Sequence, residues 1–396
     1  MNKEILKTAI ANYKPGFSLE QKFYREPAIY DAEIKKLFFK HWIFAGHVSQ
    51  IPDQGDFFTV DIGEESVIIV RTRGDEVKAH LNVCRHRGSR ICLEKAGNKQ
   101  RFTCPYHAWS YDLDGKLIAA RFMHDEFSRA EYALHRAHVE MLGGFIFISL
   151  AEMPLAISDM REKMTEIFDL FGFDKLKLAE KRSYNIPANW KLAVENYQEC
   201  YHCAPAHQEY AKIHAMACSP QEFQSMQQAF HDDSKIIHSE FNAYYGYARQ
   251  GQEGFQYDRN PLLRGCVSGS FNGNAVAQLL GNIAEYDGGA SEFMLGPVNF
   301  FLLYDDHIIV YRFLPKSIDQ CCCEIYWLVH EDAVEGEHYD LDTLTWLWDV
   351  TTKADKKIIM NNQLGVNSQF YQPGKLSKME VFEQTFLDWY VETLAN

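Results

Sequence analysis

Cys84-Arg85-His86-Arg87-Gly88-Ser89, followed by Cys104-Pro105-Tyr106-His107-Ala108-Trp109, is the stretch on which the reading of this chain turns. Each arm offers one thiol and one imidazole, spaced Cys-x-His and Cys-x2-His. Such a set holds either one tetrahedral zinc or a two-iron, two-sulfide cluster whose irons divide the thiolates from the imidazoles. Ligand order separates the two. A zinc finger collects both Cys before both His, whereas here each arm carries one of each and can reach both irons. Gly88 and Pro105 shape the two loops, and the other backbone N–H groups of these loops, with the hydroxyls of Ser110 and Tyr111, can donate to bridging sulfides. Tyr111-Asp112-Leu113-Asp114-Gly115-Lys116 then marks a hairpin turn on Asp-Gly. The result is a β-rich ligand cradle.

A second concentration of ligands lies at Glu199-Cys200-Tyr201-His202-Cys203-Ala204-Pro205-Ala206-His207, in a region that reads as helical. A mononuclear Fe(II) that activates O2 takes two imidazoles and one carboxylate on one face, leaving open positions. His202 and His207 are five positions apart, about 140° on an undistorted helix, so they would not face one metal. Pro205 between them kinks or ends the helix and lets His207 swing back. Glu199, three residues before His202, shares its face. Asn189 is placed to cap a helix starting near Trp190. Taken alone, either His reads as a satisfied core residue.

Together these residues resemble the α (oxygenase) subunit of the Rieske non-heme iron oxygenases. The resemblance implies a 2Fe-2S cluster with Cys84 and Cys104 on the inner iron and His86 and His107 on the outer one. Asn189-Trp190-Lys191, and Glu195-Asn196-Tyr197-Gln198-Glu199 through His207, resemble the catalytic-iron motif, with His202 and His207 as ligands. Asp355, eight residues before Gln363 and ahead of Gly365-Val366-Asn367-Ser368, matches the family's pattern for the third ligand. It lies in a segment, 344–362, that reads as a helix. The family usually has Glu or Asp before that Asp, and this chain has Ala354, which leaves Asp349 as the fallback. The resemblance also implies a head-to-tail homotrimer in which Glu199 bridges a cluster histidine, His107, to His202 of the neighbouring subunit.

The fold implied is α+β: a β-rich Rieske domain over 41–150, and a helix-grip catalytic domain with an antiparallel sheet over 151–396. Residues 1–40 form an N-terminal arm packing with the latter. The Rieske segment contains alternating strands at 56–60 and 66–70, and the catalytic segment a hairpin of 299–304 and 307–313 through Asp305-Asp306. Cys321, Cys322 and Cys323 open a further strand, and 380–394 reads as an amphipathic helix. Residues 219–292 are rich in Gly, Gln and Asn with little periodicity and read as mobile loops over the active site.

Composition narrows the rest. The 396 residues exceed one average domain, and 27 Phe with 21 Tyr suit large cores or an apolar pocket. A net charge of −14 argues against nucleic acid. No apolar stretch has membrane-spanning length and no secretory h-region opens the chain, so a cytoplasmic protein is expected, with its ten Cys as thiols and cluster ligands. Cys200 and Cys203 read as packing residues. The chain lacks a dinucleotide fingerprint, so NAD(P)H would be used by a partner, a flavin and ferredoxin-type reductase.

For the substrate, Phe23-Tyr24, the run 38–47 and Cys84 to Arg90 resemble the glycine-betaine and stachydrine demethylases. Glu199, where ring-hydroxylating members mostly carry Asp, points to the carnitine oxygenase branch. A small methylated ammonium compound is then expected, hydroxylated on an N-methyl group. Tyr244, Tyr245, Tyr247 and Phe271 are candidate faces for its cation, and Arg249 and Arg264 candidate partners for a substrate carboxylate. Two alternatives stand beside this reading. A ring-hydroxylating dioxygenase acting on an aromatic acid shares every iron ligand, and a Rieske electron-transfer protein without oxygenase activity lacks the second site.

Overall fold

The apolar residues of 56–62 and the continuous apolar run Val67-Ile68-Ile69-Val70 produce the antiparallel strands Asp56–Ile62 and Glu65–Arg71, the second buried from Ser66 to Val70. They belong to a seven-stranded sheet ordered Ile43–His47, Phe145–Ser149, Arg136–Leu142, Val77–Leu81, Glu65–Arg71, Asp56–Ile62, Ala96–Asn98. A small sheet of Phe102–Thr103, Ser110–Tyr111 and Leu117–Ala119 carries the Asp-Gly hairpin, with Gly115 at φ 81° and its N–H donating to Asp112 O at 3.0 Å. These strands form one compact unit, Phe38–Pro154; the other is Met1–Leu37 with Leu155–Asn396. The computed structural model describes residues 2–216, 218–233, 246–249 and 251–396.

The larger unit is α+β, built on a six-stranded antiparallel sheet ordered Leu176–Ile186, Gln320–His330, Ile308–Ser317, Asn299–Leu303, Gly289–Leu295, Phe255–Pro261. Its central hairpin turns at Asp305-Asp306, where Tyr304 N–H donates to His307 O at 3.0 Å. Cys321, Cys322 and Cys323 lie in Gln320–His330 and are buried. Helices Trp190–Tyr197 and Leu341–Val366 pack on one another and against the sheet, and Val381–Ala395 closes the unit. Among the described residues no helix is long and apolar enough to cross a membrane.

The N-terminal segment is tied into this unit by a buried polar knot. Glu33 accepts from Lys191 Nζ at 2.7 Å and from Trp190 Nε1 at 2.8 Å, and Tyr390 Oη donates to it as well. The Lys191 and Glu33 side chains are wholly buried. Beside them Tyr24 Oη donates to Glu195 at 3.0 Å.

Two segments depart from expectation. Residues 220–233 are the helix Pro220–Asp233, because Phe223, Met226 and Phe230 recur at helical spacing despite the polar composition. The helix from Trp190 is capped by Asn189, whose Oδ1 accepts from Lys191 N at 3.0 Å, but it ends at Tyr197 and does not run on to a kink at Pro205. Pro205 lies in the single turn Cys203–Ala206, and the chain breaks again at His207 (φ −129°, ψ 73°) before Gln208–Ala211.

Candidate metal centres

In the smaller unit, Cys84 and Cys104 begin two loops of the same design. Cys84 N–H donates to Ser89 O at 2.8 Å and Gly88 N–H to Cys84 O at 3.0 Å; Cys104 N–H donates to Trp109 O at 2.8 Å and Ala108 N–H to Cys104 O at 3.0 Å. The fifth residue of each loop is left-handed, Gly88 at φ 75° and Ala108 at φ 58°. Each loop thus folds its thiol inward and its imidazole outward. Cys84 and Cys104 are 3% and 2% exposed, while His86 and His107 are exposed with ring centroids 4.6 Å apart at 77°. Trp109 stacks on His86 at 4.8 Å and 12°.

Tyr111 Oη stands 3.4 Å from Cys84 Sγ and accepts from Arg85 N–H at 3.1 Å, as a tuning hydroxyl should. Ser110 does not share that role, since its hydroxyl donates to Ala108 O at 3.2 Å. Burial raises the Cys84 thiol pKa, and the neighbouring Cys104 adds to it. Among the described residues these four side chains are not gathered with three ligand atoms within 4.8 Å of one another, which a single zinc would need. Two inner thiols and two outer imidazoles fit a two-iron cluster.

The other unit gathers such a triad. Ligand atoms of His202, His207 and Asp355 all lie within 4.8 Å of one another. His207 Nε2 is 2.7 Å and His202 Nε2 3.3 Å from Asp355 Oδ1, and the two rings cross at 80°. Asp355 projects from the long helix Leu341–Val366; the broken turns after Tyr197 bring both histidines to meet it. Glu199 Oε1 lies 2.5 Å from His202 Nδ1, which fixes the ring with Nε2 towards the triad. Its other oxygen accepts from Tyr201 N–H, and from His202 N–H at 3.3 Å. Burial opposes protonation of His202, yet Asp355 and Glu199 outweigh it and raise its pKa to about 10. Asp349 is engaged elsewhere: it accepts from Tyr184 Oη at 2.6 Å and pairs with Arg182 and Lys353 at 3.3 and 2.6 Å. The fallback is therefore set aside in favour of Asp355.

A cavity of about 60 Å³ opens on the triad, with Tyr197, Tyr210, Tyr311, Trp348 and Glu292 among its walls. The Tyr210 ring is stacked on His214 at 4.0 Å, and His214 Nε2 is 2.6 Å from Tyr304 Oη, so this wall is braced from behind. Tyr244 and Tyr245 lie outside the described residues. Tyr247, Phe271, Arg249 and Arg264 do not line the cavity. Tyr247 accepts from Gln198 Nε2 at 2.9 Å and stacks on Trp389 at 4.6 Å. Phe271 is 68% exposed against Trp346, and both arginines are exposed.

Cys200 and Cys203 both line the cavity, Cys203 as a buried residue of its wall. Sequence reading passed over Asn196, whose Nδ2 is 3.2 Å from His202 Nε2, although it stands one turn before the ligand motif. It also passed over Glu292, a lone acid in an apolar strand.

Residues 173–396 match the family model of the ring hydroxylating α subunit (catalytic domain), and residues 41–132 that of the Rieske 2Fe-2S domain. The chain is 37% identical over 387 residues to the glycine betaine monooxygenase oxygenase subunit of Pseudomonas aeruginosa, covering 96% of this chain and 90% of that one. It is 31% identical over 252 residues to the carnitine monooxygenase oxygenase subunit of Acinetobacter baumannii, covering 63% and 64%. A crystal structure of a quaternary ammonium Rieske monooxygenase with an inhibitor has a TM-score of 0.74 at 22% identity over 98% of both chains, a likeness of fold.

Proposed function

Because this chain belongs to the Rieske non-heme iron oxygenases, as the α (oxygenase) subunit with a 2Fe-2S domain and a mononuclear-iron catalytic domain, we propose that it N-demethylates a small betaine-like methylated ammonium compound. The observation that carries the reading is the His202, His207 and Asp355 triad opening on a cavity walled by Tyr197, Tyr210, Tyr311 and Trp348. Aromatic faces hold a quaternary ammonium by cation–π attraction, about 0.5–2 kcal/mol each depending on desolvation. Relatives that bear the names of glycine betaine and carnitine monooxygenase subunits support the same substrate class.

In this reading Cys84, Cys104, His86 and His107 would hold the 2Fe-2S cluster, and His202, His207 and Asp355 the mononuclear iron; when bound, these groups would supply single electrons and O2 activation. One oxygen atom enters an N-methyl C–H bond, and the other leaves as water with two electrons and two protons. The carbinolamine then loses formaldehyde: its hydroxyl proton leaves to water, the O–H electrons form the C=O bond, and the C–N bond breaks with its electron pair staying on nitrogen. The aromatic walls hold the methyl groups against the triad. The electrons come from NAD(P)H through a separate flavin and ferredoxin-type reductase.

Glu199 is the group through which electrons enter the catalytic unit in a homotrimer. Its carboxylate is bonded to His202 on one side, and it also lines a recess of about 300 Å³ with Tyr24, Glu195, His202, Glu380 and Glu383. A neighbouring subunit's exposed His107 would dock there. The reaction is tested with reductase, NADH and a panel of betaines, scoring formaldehyde. Release from at least one member is expected, and none from any member overturns the proposal.

A further inference from the structure

The strand Gly289–Leu295 carries a single ionisable residue, and the sheet sets it directly opposite another of the same sign: Glu292 is in register with Asp258 of Phe255–Pro261. Opposed residues on antiparallel strands share a face with Cβ atoms about 4.5–5.5 Å apart, where like charges destabilise the pair. Asp258 is held by Gln227 Nε2 donating to Asn260 Oδ1 at 2.8 Å, and by Asn260 Nδ2 donating to Asp258 Oδ2 at 3.0 Å. Its Oδ1 is buried without a partner among the described residues.

Glu292 is the one exposed residue of its strand, and its side chain opens on the cavity above the triad, where it stands with Tyr197, Tyr210, Tyr311 and Trp348. It also lines an adjoining cavity of about 40 Å³. Among the described residues it meets no hydrogen-bond donor and no cationic side chain; its charged neighbour is Asp258. Two opposed carboxylates without a cation between them repel one another. A tetraalkylammonium head suits them: it has no N–H to donate and spreads its charge over methyl groups, so it needs an acid that is not already hydrogen-bonded.

We infer that Glu292, backed by Asp258, is the counter-charge that holds the substrate's methylated ammonium head in the iron cavity, with the four aromatic rings as its other walls. The inference rests on the cationic substrate proposed above. It assigns specificity to the strand next to the edge of the sheet, away from the iron ligands in sequence.

Calorimetric titration of the iron-loaded protein compares glycine betaine with 3,3-dimethylbutanoate, which has the same shape and carboxylate but carbon in place of the ammonium nitrogen. The wild type is expected to prefer the cation by about tenfold or more, and Glu292→Gln to bring the two within about threefold. Asp258→Asn narrows the preference by less. Removing a like-charged partner leaves the melting temperature of Glu292→Gln unchanged or raises it. Three results overturn the inference: no saturable binding of glycine betaine or tetramethylammonium, no preference in the wild type, or a preference that survives in Glu292→Gln, whatever that variant's stability. Formaldehyde release is scored separately. Turnover of betaine by a Glu292→Gln protein that keeps its preference sinks the inference and spares the reaction, whereas a preference without formaldehyde sinks the reaction alone.

Discussion

Asp355 and Asp349 sit on one helix six residues apart, and the company each keeps decides their roles. Asp355 meets two imidazoles, while Asp349 is bound by Tyr184, Arg182 and Lys353. His202→Ala and Asp355→Ala are therefore expected to lose the mononuclear iron and turnover while keeping the visible absorption of the 2Fe-2S cluster. Asp349→Asn should keep both metals, by metal analysis of the purified proteins. Asp355 was legible in the sequence through its spacing to Gln363, although Ala354 broke the pattern beside it. Glu292 was not legible, because its meaning comes from cross-strand register with Asp258, and one strand's sequence does not state its partner.

A pH dependence follows at the same scale. Burial, then the charge of Asp258, pushes the Glu292 pKa well up, and burial pushes Asp258 up to about 6 against the opposing bond from Asn260. The other titratable groups close to Glu292 are Cys200, Tyr197, Tyr210 and Tyr304. A bound cation favours the charged carboxylates, so binding expels protons and affinity rises with pH. KM for the cationic substrate should fall as pH increases from about 6, and Glu292→Gln should flatten that slope.

Among the elements, the two cluster loops and the broken helix divide what sequence can and cannot show. The Cys-x-His and Cys-x2-His spacing gave the loops, but their matched backbone turns, with Ala108 doing what Gly88 does, are visible only in three dimensions. Left-handed backbone costs a non-glycine residue about 1 kcal/mol. Ala108→Gly is expected to keep the cluster and raise the melting temperature slightly, and Ala108→Val, with its branched side chain, to lower cluster content. The Asn189 cap made the start of the helix at Trp190 legible. Its end at Tyr197 was not, since no Gly or Pro marks it and the break serves the meeting of His202 with Asp355 from a helix far along the chain. Lys191 in that helix anchors Glu33 of the N-terminal segment, and both are fully buried. Lys191→Met strands a buried carboxylate and should cost about 3–5 kcal/mol in denaturant unfolding, with Glu33→Gln added to it restoring part of the loss.

Over the whole molecule, the two ligand clusters belong to separate compact units, so wiring between them is the question the chain poses. If electrons cross between subunits through Glu199, a Cys84→Ser protein without the cluster and a His202→Ala protein without the mononuclear iron, each inactive, should regain activity when exchanged into mixed oligomers. A mixture as inactive as its parts would place transfer within one subunit. The ligand motifs and the sheet-rich layout were legible because metals impose spacing and strands impose alternation. The cavity over the triad was not, because its walls come from five separate stretches of chain.

The most direct test of the central claim is a single turnover without reductase. Protein reduced beforehand holds one electron in the cluster and one in the mononuclear iron, the two that one hydroxylation consumes. Mixed with O2 and glycine betaine, then quenched, it is predicted to release formaldehyde in proportion to mononuclear iron as the cluster oxidises, and to release none as the His202→Ala variant. Cluster oxidation without formaldehyde from glycine betaine, carnitine or γ-butyrobetaine would contradict the account.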